Sequence, residues 1–139
     1  MLNPAQIKKI REFIENKPVE VVYLFGSQAG EKPRLDSDYD FGVLFASDVS
    51  TSDKFELRLE IMGFLTGLLN QDGVDVLDLE SSPIRFQYEA IKPRGEIYIR
   101  NGRRRDEFEY KVLTNYLDEM YFMKQTTREV LFRVANRSL

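Results

Sequence analysis

The chain has 139 residues, 42% of them hydrophobic, a net charge of −3, and neither cysteine nor histidine. That suffices for one ordinary hydrophobic core, while it excludes disulfides, thiolate chemistry and a histidine base, and disfavours zinc. Acid–base or metal chemistry falls to Asp and Glu, which suit hard cations such as magnesium, and the acidic balance lends no support to a direct nucleic-acid surface.

The N-terminus, MLNPAQIKKIREF, lacks the apolar core of a signal peptide, and no stretch approaches the roughly 18 apolar residues of a membrane span. A cytoplasmic protein with no membrane partner is expected. Asn3-Pro4 reads as a cap followed by proline at the first helical position, with Leu2 and Ile7 placed for a hydrophobic staple. Ile7, Ile10, Phe13 and Ile14 recur at helical spacing until Pro18 ends the helix. Residues 19–25, VEVVYLF, are β-branched and aromatic and read as a buried strand. Residues 26–37 form a loop and 38–46 a second strand. Asp53 with Glu56 resembles a capping box opening a helix to about Asn70. VDVLDLE, 74–80, is a third strand. Ser82-Pro83 opens a short helix to Ile91, and Pro93-Arg94-Gly95 turns into a short strand, EIYIR, which Asn101-Gly102 breaks.

From about Arg104 to Asn136 there is neither Gly nor Pro, and apolar residues recur every three or four positions: one long helix, or two. Phe108, Val112, Leu113, Tyr116, Leu117, Met120, Tyr121 and Met123 should largely cover the sheet. Val130, Leu131, Phe132 and Val134 exceed what a small sheet can bury, which points to a homodimer or a hetero-oligomer through this helix. Arg103-Arg104-Arg105 reads first as a solvated helix start. The expectation is one domain over 1–139 of α/β (α+β) class, a small mixed sheet with helices packed on it.

The chemistry concentrates between the first two strands. Asp38 and Asp40 are two apart, so on a strand they share a face, while Tyr39 and Phe41 take the other. Two carboxylates about 7 Å apart repel, and a divalent cation between them turns repulsion into binding. Magnesium favours one or two carboxylates plus phosphate oxygens and waters. Gly26-Ser27 supplies the matching part, a glycine turn whose backbone N–H groups can cradle a phosphate, with a serine hydroxyl added. Together they read as a clamp for magnesium and a triphosphate. A third carboxylate would complete a two-metal site, and the third strand offers Asp75 or Asp78, which face opposite sides of a regular strand. Spacing leaves that choice open. Taken singly, Gly-Ser is a turn and Asp-x-Asp a solvated strand start; the order and the flanking strands give the set its weight.

A hydrophobic strand, Gly26-Ser27, ten residues and then Asp38-Tyr39-Asp40 resembles the signature of the DNA polymerase beta-type nucleotidyltransferase superfamily. The family's third carboxylate lies in a hydrophobic-Asp-hydrophobic strand, which Val74-Asp75-Val76 resembles, so the resemblance favours Asp75. The short length and the tail RFQYEAIK…GEIYIR…FEYKVLTNYLDEM resemble the minimal nucleotidyltransferase (MNT) subfamily over essentially the whole chain. The resemblance implies the polymerase beta-type fold, with Asp38, Asp40 and Asp75 as catalytic ligands of two Mg2+ ions, Gly26 and Ser27 on the phosphates, and ATP as substrate. It also implies an antitoxin that transfers AMP to a tyrosine of a HEPN-domain ribonuclease toxin. Family members commonly read Gly-Ser-x-Ala-Arg-Gly, whereas here Gly30 and Glu31 occupy the last two places. Lys32 or Arg34 is the expected substitute for the missing guanidinium at the nucleotide. Alternatives are an antitoxin that neutralises by binding alone, a transferase for a small hydroxylated acceptor, and a nucleic-acid-tailing enzyme, which the acidic balance disfavours.

Overall fold

The computed structural model describes residues 2–26, 39–92 and 95–137. Helix α1 spans Pro4–Glu15. The Asn3 side chain accepts from the Gln6 N–H at 2.8 Å while the Gln6 side chain accepts from the Asn3 N–H at 3.0 Å, a reciprocal cap. Strand β1, Val19–Phe25, leads to β2, Tyr39–Phe45, and helix α2, Thr51–Leu69, follows. The cap of α2 is Ser50, whose hydroxyl accepts from the Asp53 N–H at 3.2 Å. The expected Asp53 cap is thus displaced by one turn: Asp53 lies inside the helix, where its charge meets the positive end of the dipole. Strand β3 covers Val74–Asp78, and a 3-10 turn, Leu79–Ser81, replaces the end of the expected strand. Helix α3, Ile84–Ile91, strand β4, Glu96–Ile99, and helix α4, Gly102–Arg137, complete the chain. The C-terminal segment is one helix, which begins at Gly102 just after β4 ends, so Asn101-Gly102 does break the strand. The Asn101 side chain accepts from the Arg104 N–H at 3.1 Å, so asparagine starts the helix.

The sheet order is β3-β2-β1-β4. β1 is antiparallel to β2 and β4, and β2 is parallel to β3, so the sheet is small and mixed as expected. Alternation sorts the side chains onto two faces. Val22, Leu24, Phe41, Val43 and Val76 pack under α1 and α2 against Ile10, Ile14, Ile61 and Leu65. Val21, Tyr23, Phe25 and Leu44 pack on the other face under α3 and α4, against Ala90, Ile91, Phe108 and Val112. Each edge strand has a carbonyl covered by an arginine. Arg11 Nε donates to Ile97 O on β4 at 2.7 Å, and Arg58 Nε to Val76 O on β3 at 3.0 Å. Such contacts satisfy edge groups that would otherwise template pairing with another chain.

The long helix departs most from expectation. Phe108 and Val112 are buried, and Tyr116 stacks on Tyr88 with ring centroids 3.8 Å apart. Leu113, Leu117, Met120, Tyr121 and Met123 are exposed instead of covering the sheet. α4 is 36 residues long, and only Phe108 and Val112 of it are buried. Of the arginine run, Arg104 pairs with Glu80 and Arg103 with Glu107, so Arg104 ties α4 to the turn after β3. No helix among the described residues is long and apolar enough to cross a membrane.

Candidate active site

The end of β1 and the starts of β2 and β3 meet at one edge of the sheet. Phe25 is the register partner of Asp40 across the antiparallel pair, and Asp40 the partner of Asp75 across the parallel pair. Register partners point to the same face, so both carboxylates lie on the face covered elsewhere by α3 and α4, on strands about 4.8 Å apart. Asp40 is half-buried and Asp75 exposed. Tyr39 and Phe41 turn to the opposite face and pack into the α1–α2 core, which fixes the direction of the aspartate between them.

Gly26 closes β1 with φ +76. A Cβ built there would lie 2.4 Å from Asp40 Oδ2. No L-residue fits comfortably, on backbone conformation or on space. Gly26 is therefore pressed against a carboxylate at this corner, the juxtaposition a phosphate-and-cation site needs.

The register separates the two β3 aspartates. Asp75 pairs with Asp40, whereas Asp78 pairs with Val43 on the opposite face. There Asp78 is 9% exposed, accepts from Ser81 Oγ at 2.9 Å, and has Lys54 Nζ at 3.9 Å. It lines a cleft of about 310 Å³ with Lys54, Arg58 and Ser82, away from Asp40. Ser27, Lys32, Arg34 and Asp38, and with them the Gly30-Glu31 departure, lie outside the described residues.

Two features of the site's support were not read from the sequence. Gly42 follows Asp40 on the same face, and a Cβ there would come within 2.8 Å of the fully buried Leu79. A glycine inside an apolar strand is the available signal for such a close approach. At Gly95, Leu24 N donates to Gly95 O at 2.8 Å, holding the start of β4 beside the end of β1. Behind the site, Glu109 of α4 and Glu96 of β4 flank Tyr23. Burial first, then the charge of Glu96, pushes the Glu109 carboxyl above the usual glutamate range, while Arg105 opposes the shift.

A mixed four-stranded sheet with an acidic corner and a glycine turn defines the class of protein. Residues 8–103 match the polymerase beta nucleotidyltransferase family, and the chain belongs to it. Among curated proteins none matches in sequence. Solved structures of similar fold include a mutant MntA–HepT toxin–antitoxin, 23% identical with TM-score 0.69, covering 94% of this chain and 99% of that one. A toxin–antitoxin with AMP-PNP is 21% identical with TM-score 0.67, covering 94% and 99%. A tri-AMPylated Shewanella oneidensis HEPN toxin in complex with MNT antitoxin is 19% identical with TM-score 0.64, covering 91% and 97%.

Proposed function

We propose that this nucleotidyltransferase is the antitoxin of a HEPN ribonuclease toxin and transfers AMP from ATP to a tyrosine of that toxin. The observation that carries the chemistry is the corner where Asp40 and Asp75 are register partners and Gly26 meets the Asp40 carboxylate. The partner is supported by solved toxin–antitoxin complexes of similar fold, one of a tri-AMPylated HEPN toxin with an MNT antitoxin and one with AMP-PNP.

The donor set fits magnesium: carboxylates from adjacent strands on one face, with sequence placing Asp38 two residues before Asp40. Asp38, Asp40 and Asp75 would hold it. When bound, it neutralises triphosphate charge and acidifies the attacking hydroxyl. The residues of the chain do the rest. Gly26 and Ser27 hold the phosphates through backbone N–H groups and a hydroxyl, with Lys32 or Arg34 as the cation. The tyrosine oxygen attacks the α-phosphorus, the bond from that phosphorus to the bridging oxygen breaks, and pyrophosphate leaves. Asp75 takes the hydroxyl proton.

A second reading keeps the partner and drops the transfer: Gly30 and Glu31 stand where the family commonly has Arg and Gly, which favours neutralisation by binding. Intact masses decide between them. The HEPN-type protein is incubated with this chain, ATP and magnesium, beside Asp38→Ala/Asp40→Ala. Added AMP that vanishes with the double variant supports transfer. A stable complex with no added mass, formed by both versions, supports the binding antitoxin.

A further inference from the structure

Helix α4 rests on the sheet only through its first turns, yet it continues to Arg137. Residues 117–137 extend about 30 Å at 1.5 Å per residue. Along α4 one series of apolar residues is regular, while Phe122 and Phe132, each 71% exposed, lie off it. Tyr110, Leu113, Leu117 and Met120 are spaced three, four and three apart; Leu131 and Val134 fall in the same register. All six are between 38% and 76% exposed. The two intervening seam positions are Lys124 and Thr127, also exposed. A repeat of three and four is 3.5 residues per turn, the period at which one helix stays in contact with another. Met123, Val130 and Tyr121 widen the stripe. A continuous apolar stripe on a water-facing helix marks an interface.

The seam also restricts its occupant. A second copy laid on it in parallel sets Lys124 against Lys124. An antiparallel copy offers only the other seam residues, none of which is acidic. In either direction the ammonium is covered without a carboxylate from the seam, which is costly. The charges beyond Met123 are Lys124, Arg128, Arg133 and Arg137 against Glu129, so the distal half is basic.

We propose that α4 beyond Tyr116 is a coiled-coil docking seam for an amphipathic helix of the toxin, with an acidic residue of that helix facing Lys124 and a predominantly acidic rim along the distal half. The inference rests on the toxin-pair reading for the identity of the partner. It makes the long helix the docking arm and leaves the Asp40–Asp75 corner to the chemistry.

The test is calorimetric titration of the HEPN-type protein into the full chain without nucleotide, using wild type, Leu117→Glu/Leu131→Glu and Lys124→Glu. These positions lie outside the buried core, and circular-dichroism melts verify that the variants fold. The expected result is a loss of about a hundredfold in affinity for the double variant and about tenfold for Lys124→Glu. A wild-type complex that both variants form equally well overturns the docking seam and leaves the pairing intact. No wild-type complex overturns the pairing, and the seam's occupant with it. Self-association that the double variant abolishes, with toxin binding unchanged, assigns the seam to a second copy and overturns the proposal.

Discussion

Asp75 on β3 is the parallel register partner of Asp40 on β2, and three residues further along Asp78 is the partner of Val43 on the opposite face. One strand thus carries two aspartates in different surroundings. Asp75 sits with another carboxylate, that of Asp40, as its register partner across the ladder, where like charges repel and a cation is favoured. Asp75→Asn is expected to leave melting unchanged or raise it slightly while lowering AMP transfer on the order of a thousandfold. Loss of melting temperature together with transfer would show a structural role instead.

Asp78 has the opposite profile. It is nearly buried, accepts from Ser81 and lies beside Lys54. Asp78→Ala leaves the Ser81 hydroxyl without its acceptor and the Lys54 ammonium without its nearby carboxylate, so stability should fall by about 1–3 kcal/mol. Transfer measured well below the new melting temperature should be retained. A variant that melts normally yet fails to transfer AMP would place Asp78 in the chemistry and displace Asp75.

The Gly26 turn supplies a third test. A methyl at this position meets Asp40 Oδ2 at 2.4 Å on a backbone at φ +76. Either the carboxylate or the end of β1 must move. Displacement of about 1 Å in a positioned group costs about a hundredfold in rate, so Gly26→Ala should lower transfer by that order. Gly26 is exposed and belongs to no core, so the melting temperature should fall only by the equivalent of about 1 kcal/mol. A variant with near-normal transfer would mean that the turn does not hold the phosphates.

The strands and the first helix were legible because each carries a short-range signal: the Asn3-Pro4 cap, the β-branched run 19–25 and the glycine turns. Alternation also said that Asp75 and Asp78 face apart. It could not say which of them meets Asp40, because that depends on how β3 registers against β2, a pairing between distant segments. The same limit hid Gly42, whose neighbour Leu79 is 37 positions away. For α4 the period and the surplus of apolar residues from Val130 on were legible, but the exposure of Leu113, Leu117, Met120, Tyr121 and Met123 was not. Leu113 and Leu117 repeat at helical spacing, yet a sheet of four short strands has no surface left to cover them. Periodicity gives the face of a helix; the area of the surface opposite decides whether that face is buried.

The pH dependence of folding follows from Glu109. Its neighbours are Glu96 on β4, Asp106 and Arg105 on its own helix, and the Tyr23 hydroxyl. Burial and the Glu96 charge raise its pKa in the folded state above the unfolded value. Below the ordinary glutamate range both states hold the proton, and Glu109 contributes no pH dependence. As pH rises through that range the unfolded chain releases its proton while the folded chain retains it. The folded state then binds more protons, and stability falls until pH passes the raised folded value. Above that raised value the ionised carboxylate remains a net cost to the fold. Glu109→Gln removes the charge and keeps the shape, so it should melt higher than wild type near pH 7. The gain should shrink to nothing below about pH 4, where wild-type Glu109 is itself neutral. Melting curves of both proteins across that range provide the check. A gain that is the same at both ends would locate the effect in packing, and a loss near pH 7 would mean that Arg105 outweighs Glu96 and burial together.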